Sequence, residues 1–218
     1  MPHLALSDRR PYLLLGLTGA LAFWILRATS FPELYLVPLK GFATLMLATY
    51  AFVRHKGPSA RLLGMALVVA ALGDMALEAD RTIGGALFFL FHVMLVGLFL
   101  RHRRQRLAPT QTALVALLLL ATPVIAYLLP VDRVLSMQTA LYGLALGAMA
   151  AAAWASSFPR YRVGMGAMLF WLSDMLIFAQ FGPLMDSEIA RQAVYPIYFV
   201  GQIMICTGII QTLRRTAR

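Results

Sequence analysis

The 218-residue chain is 61% hydrophobic and only 13% charged, with a mean hydropathy of +0.76. A soluble domain of this length has no use for so much apolar surface, and barrel strands would alternate polar with apolar residues, so the class is an all-α polytopic membrane protein. A net charge of +10 would suggest nucleic acid in a soluble protein; here the basic residues lie in short loops, where topology accounts for them, and no nucleic-acid partner is expected.

Eight apolar segments follow one another through a single domain, at about 12–28, 35–53, 61–79, 82–101, 110–129, 134–154, 161–182 and 193–213. Most approach the ~20 residues that span ~30 Å of hydrocarbon. The first follows Arg9 and Arg10 and is read as a retained helix, because Trp24, Ile25 and Arg27 make a poor cleavage site. The sixth carries Gly143, Gly147 and the run Ala150–Ala153, a small-residue face for close packing. The one cysteine, Cys206, lies in an apolar segment, so no internal disulfide is available.

The loops give orientation. Arg9, Arg10, Arg54, Lys56, Arg61, Arg101, Arg103, Arg104, Arg106, Arg160, Arg162, Arg214, Arg215 and Arg218 fall on one side; only Arg27, Arg81, Arg133 and Arg191 fall on the other. The positive-inside rule then places both termini in the cytoplasm, with eight crossings. Glu33, Glu78, Asp80, Asp132, Asp186 and Glu188 are all in the opposite, outer loops.

Within the apolar segments the third and seventh share a register. Gly64-Met65 matches Gly164-Met165, Leu72 matches Leu172, and Asp74-Met75 matches Asp174-Met175. The two segments have the same orientation, which suggests a parallel four-plus-four internal repeat. A carboxylate at depth in a bilayer costs ~2.5–3.5 kcal/mol on insertion scales, so a chain that places one there twice is expected to use it. The bland alternative is a neutral or paired Asp that only holds helices together.

The other intramembrane ionisable groups are Lys40 and His92. Lys40, Asp74 and Tyr198 lie about five residues from the outer ends of their helices, Asp174 about eight, Gln202 about nine and His92 about ten. At ~1.5 Å per residue these depths are roughly 7–15 Å, one slab fed by helices far apart in sequence. One cavity lined by Lys40, Asp74, Asp174, Tyr198 and Gln202 is the expectation. Glu78, four residues after Asp74 and on the same helical face, would form its mouth or be a solvated loop-end carboxylate. His92 is a candidate supporting residue, or a hydrogen-bonded histidine of the bundle interior.

Metal chemistry is not expected, because His3, His55 and His102 lie at the cytoplasmic edge and a three-His zinc site cannot be built. No cofactor is called for. Ser173 lacks a paired His and a G-x-S-x-G setting, and reads as a packing residue.

Gly73-Asp74 in the third helix, Ser173-Asp174 in the seventh, Tyr198-x-x-x-Gln202 in the eighth, Phe88-x-x-x-His92 in the fourth and Lys40 in the second come in an order that covers nearly the whole chain. Together they resemble the lysoplasmalogenase (YhhN-like) family of integral membrane hydrolases. One departure is that a Pro closely follows the helix-two Lys in that family, whereas here Gly41 follows Lys40 and Pro38 precedes it. The resemblance implies a bacterial cytoplasmic-membrane protein that acts on a lysophospholipid drawn from membrane lipid. It cleaves the vinyl ether bond to give a fatty aldehyde and a glycerophospho-base, with Asp74 and Asp174 catalytic.

The residues suit that chemistry on their own terms. Protonation of the alkene carbon gives an oxocarbenium ion, water adds, and the hemiacetal collapses to an aldehyde. The step needs one carboxylic acid and one carboxylate, and burial with mutual repulsion is how two aspartates divide those roles. Glycosidases meet a similar cation with two carboxylates. Lys40 would hold one Asp ionised or bind the substrate phosphate. A competing class is a transporter or lipid-binding protein that uses the same Asp/Lys cluster as a relay.

Overall fold

The computed structural model describes residues 11–216, and the His3, Arg9, Arg10 and Arg218 of the sequence reading lie outside them. Eight α-helices follow in order: α1 (Pro11–Leu26), α2 (Glu33–Arg54), α3 (Pro58–Ala79), α4 (Arg81–Arg101), α5 (Pro109–Leu128), α6 (Arg133–Ala155), α7 (Met165–Ala179) and α8 (Glu188–Thr216). A π-helical turn, Arg160–Gly164, leads into α7. No strand occurs among the described residues.

Seven of these stretches are long and apolar enough to cross a membrane: α2 to α6, α8, and the π turn taken together with α7. The first, α1, is a shorter apolar helix of 16 residues, about 24 Å at 1.5 Å per residue against ~30 Å of hydrocarbon. A helix overlaps each of the eight expected segments, with ends that shift, and seven of them meet the length and apolarity of a span. The eighth, expected over 193–213, runs from Glu188 to Thr216. The seventh, expected over 161–182, is α-helical only to Ala179 and then gives way to turns.

Local chemistry explains where several helices begin. Pro58 and Pro109 open α3 and α5, where a missing N–H costs nothing. The carboxylate of Asp80 accepts from the N–H groups of Thr82 (2.7 Å) and Ile83 (3.0 Å) and so starts α4 one residue after α3 ends. Asp132 accepts from Leu135 N–H at 2.9 Å and starts α6 in the same way. Two acidic loop residues are thus helix caps as well as charges.

The described residues divide into two compact units, the first ending at Phe91 and the second beginning at His92. In the first, α2 packs against both α1 and α3. The approach of α2 to α3 depends on Gly41: a Cβ there would meet Met75 Cγ at 2.6 Å and the Ala71 carbonyl at 3.1 Å. Gly41 is therefore the residue that lets α3 come close beside Lys40.

In the second unit α5 pairs with α6 and α7 with α8, while α6 also meets α7. Thr139 Oγ1 donates across to the Ala126 carbonyl at 2.7 Å, and Trp171 Nε1–H donates to Thr122 Oγ1 at 2.9 Å; these bonds tie α6 and α7 to α5. Helices α7 and α8 touch at backbone level. A Cβ on Gly201 would lie 2.7 Å from the Gly166 carbonyl and 3.0 Å from the Phe170 nitrogen, so only glycine fits.

The loops after α4 and α6 clasp each other. Arg104 N–H donates to the Ala155 carbonyl at 3.0 Å, and Ser157 N–H to the His102 carbonyl at 2.6 Å. The Arg104 guanidinium adds bonds to the carbonyls of Ser156 (2.6 Å) and Phe158 (3.1 Å). It satisfies acceptors that the end of α6 leaves open. The clasp ties the end of α4 to the end of α6.

Candidate functional site

In the first unit, α2 and α3 run antiparallel and face each other with two polar rungs. Lys40 and Thr44 are four apart on α2, as are Asp74 and Glu78 on α3, so each pair presents one face. Lys40 Nζ lies 2.6 Å from Glu78 Oε1. One turn along, Thr44 Oγ1–H donates to Asp74 Oδ2 at 2.6 Å. Asp74 is 1% exposed and Thr44 fully buried. A carboxylate removed from water is held by such charge-assisted bonds.

The ionic partner of Lys40 is Glu78, not Asp74. Its ammonium also stands 5.6 Å from the centre of the Phe23 ring on α1, a cation–π contact. Glu78, itself 41% exposed, supplies the counter-charge to a lysine that is 12% exposed.

In the second unit, α4, α6 and α7 bring three groups together. Tyr142 Oη–H donates to Asp174 Oδ2 at 2.8 Å. His92 Nε2 lies 3.0 Å from the same phenol oxygen and 3.5 Å from Asp174 Oδ2. Asp174 and His92 are buried. Aromatic edges fix the rings: His92 meets Tyr142 at 5.3 Å and Phe170 at 5.0 Å between centres, both edge-on, and Tyr142 meets Phe178 at 5.5 Å.

Tyr198 and Gln202 share a face of α8, as their spacing implies, with Gln202 Nε2–H donating to Tyr198 Oη at 3.3 Å. The Gln202 carbonyl oxygen is buried and accepts no bond. Tyr198 also packs edge-on against Phe170 at 5.1 Å, so α8 meets the same phenylalanine as His92. Ser173 turns back into its own helix, donating to the Phe170 carbonyl at 2.8 Å, as a packing residue would; its oxygen is 3.4 Å from Asp174 Oδ1. Among the described residues no three His, Cys, Asp or Glu side chains gather as a metal site would require.

In the first unit Asp74 is bonded by Thr44 beside the Lys40–Glu78 pair, and in the second Asp174 is bonded by Tyr142 with His92 alongside. Thr44 and Tyr142 are the two partners that reading the sequence did not single out. The YhhN family model matches residues 35–209, which takes in all of these residues. The chain belongs to the YhhN family. No curated protein and no solved structure matches it. As a YhhN family member with seven helices apolar enough to span a bilayer, it is an integral membrane protein, similar to lysoplasmalogenases in family and in class.

Proposed function

We propose that this YhhN family protein is an intramembrane hydrolase. It cleaves the vinyl ether bond of a lysoplasmalogen, or of a related lysolipid, to a fatty aldehyde and a glycerophospho-base. Asp74 and Asp174 are its acid–base residues. The family includes lysoplasmalogenases, which supports the reaction class. The observation that carries the reading is the environment of Asp174: a buried carboxylate hydrogen-bonded by the Tyr142 phenol and 3.5 Å from the His92 imidazole. Tyr142 and His92 thus place two proton-bearing groups beside it, as an acid that is recharged each turnover would need.

In this reading Asp174 is the general acid. It protonates the alkene carbon remote from the ether oxygen, and the C=C electrons move to form the oxocarbenium ion. Asp74, in the matched setting of α3, is the second acid–base residue. A general acid or base is worth ~10²–10⁴ in rate. The protein works in the bacterial cytoplasmic membrane, crossing it eight times with both termini inside.

The test is aldehyde release by purified protein from an alkenyl lysolipid, with the ester lysolipid of equal chain length as control. Aldehyde from the alkenyl lipid alone supports the reading. Labelled lysolipid exchanging into proteoliposomes with no aldehyde formed points to a carrier instead.

A further inference from the structure

A general acid that gives up its proton must be recharged before the next turnover, and the proton-bearing groups beside Asp174 Oδ2 are the Tyr142 phenol and the His92 imidazole. Resting on the hydrolase reading above, we propose that Tyr142 is a positioning and relay residue that carries the proton from His92 back to Asp174.

The distances favour the phenol over a direct transfer. His92 Nε2 and Asp174 Oδ2 are 3.5 Å apart, outside the usual N–H···O range, whereas Tyr142 Oη stands 3.0 Å from the one and 2.8 Å from the other. A phenol has a single proton. Donated to Asp174, it leaves Tyr142 Oη as an acceptor, so His92 must supply its Nε2–H. The array then reads His92 Nε2–H to Tyr142 Oη, and Tyr142 Oη–H to Asp174 Oδ2. The titratable groups facing it are His92 from α4, Tyr142 from α6, Asp174 from α7 and, across Phe170, Tyr198 from α8.

The proton balance closes. Asp174 O–H gives its proton to the alkene carbon, forming a C–H bond, and is left as a carboxylate. Water adds to the cation and sheds a proton; the hemiacetal releases the alcohol and leaves the aldehyde. In recovery, imidazolium His92 passes its Nε2 proton to Tyr142 Oη as the phenol proton moves to Asp174 Oδ2. Asp174 is again an acid, and His92 is neutral with its proton on Nδ1. His92 regains a proton equal to the one water shed, so each turnover consumes one lysolipid and one water and no net proton. Because His92 and Tyr142 can each hand a proton along without moving a ring, the edge-on aromatic packing around them serves the transfer.

Tyr142→Phe removes one oxygen and keeps the ring. In the aldehyde assay kcat should fall by roughly 10²-fold, the low end for a proton-transfer group, with KM within about twofold. The pH profile of kcat should change shape as well, which loss of packing alone would not produce. His92→Gln is the second variant and should show the same split, with the double variant little worse than either single one. An independent readout is the ¹⁵N spectrum of histidine-labelled protein. In Tyr142→Phe the His92 resonances should move while those of His55 and His102 stay. An active enzyme whose kcat and pH profile are unchanged by Tyr142→Phe overturns the relay and leaves the hydrolase reading standing. Should the wild-type protein release no aldehyde, the hydrolase reading fails and the relay falls with it. In an active enzyme, His92 resonances unmoved by Tyr142→Phe also overturn the relay, and displaced ones support it together with the kcat split.

Discussion

Thr44 Oγ1 stands 2.6 Å from Asp74 Oδ2, both groups buried between α2 and α3. This contact ties a helix of the first unit to the buried carboxylate of its neighbour, and it can be removed without changing shape. Thr44→Val replaces the hydroxyl with a methyl. A hydrogen bond to a charged group contributes about 1.5–3 kcal/mol, so the detergent melting temperature should fall by roughly 5 °C. Thr44→Ser, which keeps the donor, should restore most of it. Equal losses in both variants would show that the methyl group, not the hydrogen bond, holds α2 to α3.

The Lys40–Glu78 pair is lopsided: the lysine side chain is 12% exposed and the glutamate 41%. Removing Glu78 strands an ammonium in apolar surroundings, whereas removing Lys40 frees a carboxylate that already reaches solvent. Glu78→Gln should therefore destabilise more than Lys40→Met, by about 2 kcal/mol. Adding Lys40→Met to it should recover part of the loss. A double-mutant cycle of melting temperatures measures this. Strictly additive effects would mean that the 2.6 Å contact contributes nothing.

The helices themselves were legible in the sequence because a spanning segment must be apolar for about 20 residues. Their ends were less so. Helix α8 extends to Glu188 because its first turn is polar yet still helical, with Arg191 and Gln192 both bonded to the Glu188 carboxylate. A hydropathy window stops where such a turn begins. At the candidate site, Asp74, Asp174, Lys40 and His92 were visible as charges in apolar runs, and Glu78, Tyr198 and Gln202 by their spacing. Tyr142 was not, because its helix declares itself through glycine and alanine as a packing element. Depth would have found it. Tyr142 lies about nine residues from the start of α6, or ~14 Å along the axis, the level already assigned to Asp174. Thr44 carries no charge, and only its position one turn from Lys40 marks it.

Charge asymmetry predicts topology. With fourteen of the loop Lys and Arg residues on one side and only four on the other, reporters fused to the two termini should both read as cytoplasmic. Reporters on opposite faces would mean an odd number of crossings, most simply with α1, only 16 residues long, lying at the interface.

The central claim is that Asp74 and Asp174 act as acid–base residues, and Asp74→Asn and Asp174→Asn test it most directly. Asn keeps the volume and much of the hydrogen bonding, but it cannot donate a carboxylic proton or carry negative charge. A structural carboxylate should tolerate the change, since a neutral amide costs less to bury than an ion. Aldehyde release from alkenyl lysolipid is measured for both variants together with their melting temperatures. Each should lose at least ~10²-fold in kcat while remaining folded, and the double variant should be little worse than either. Near-normal turnover by either folded variant would contradict the account.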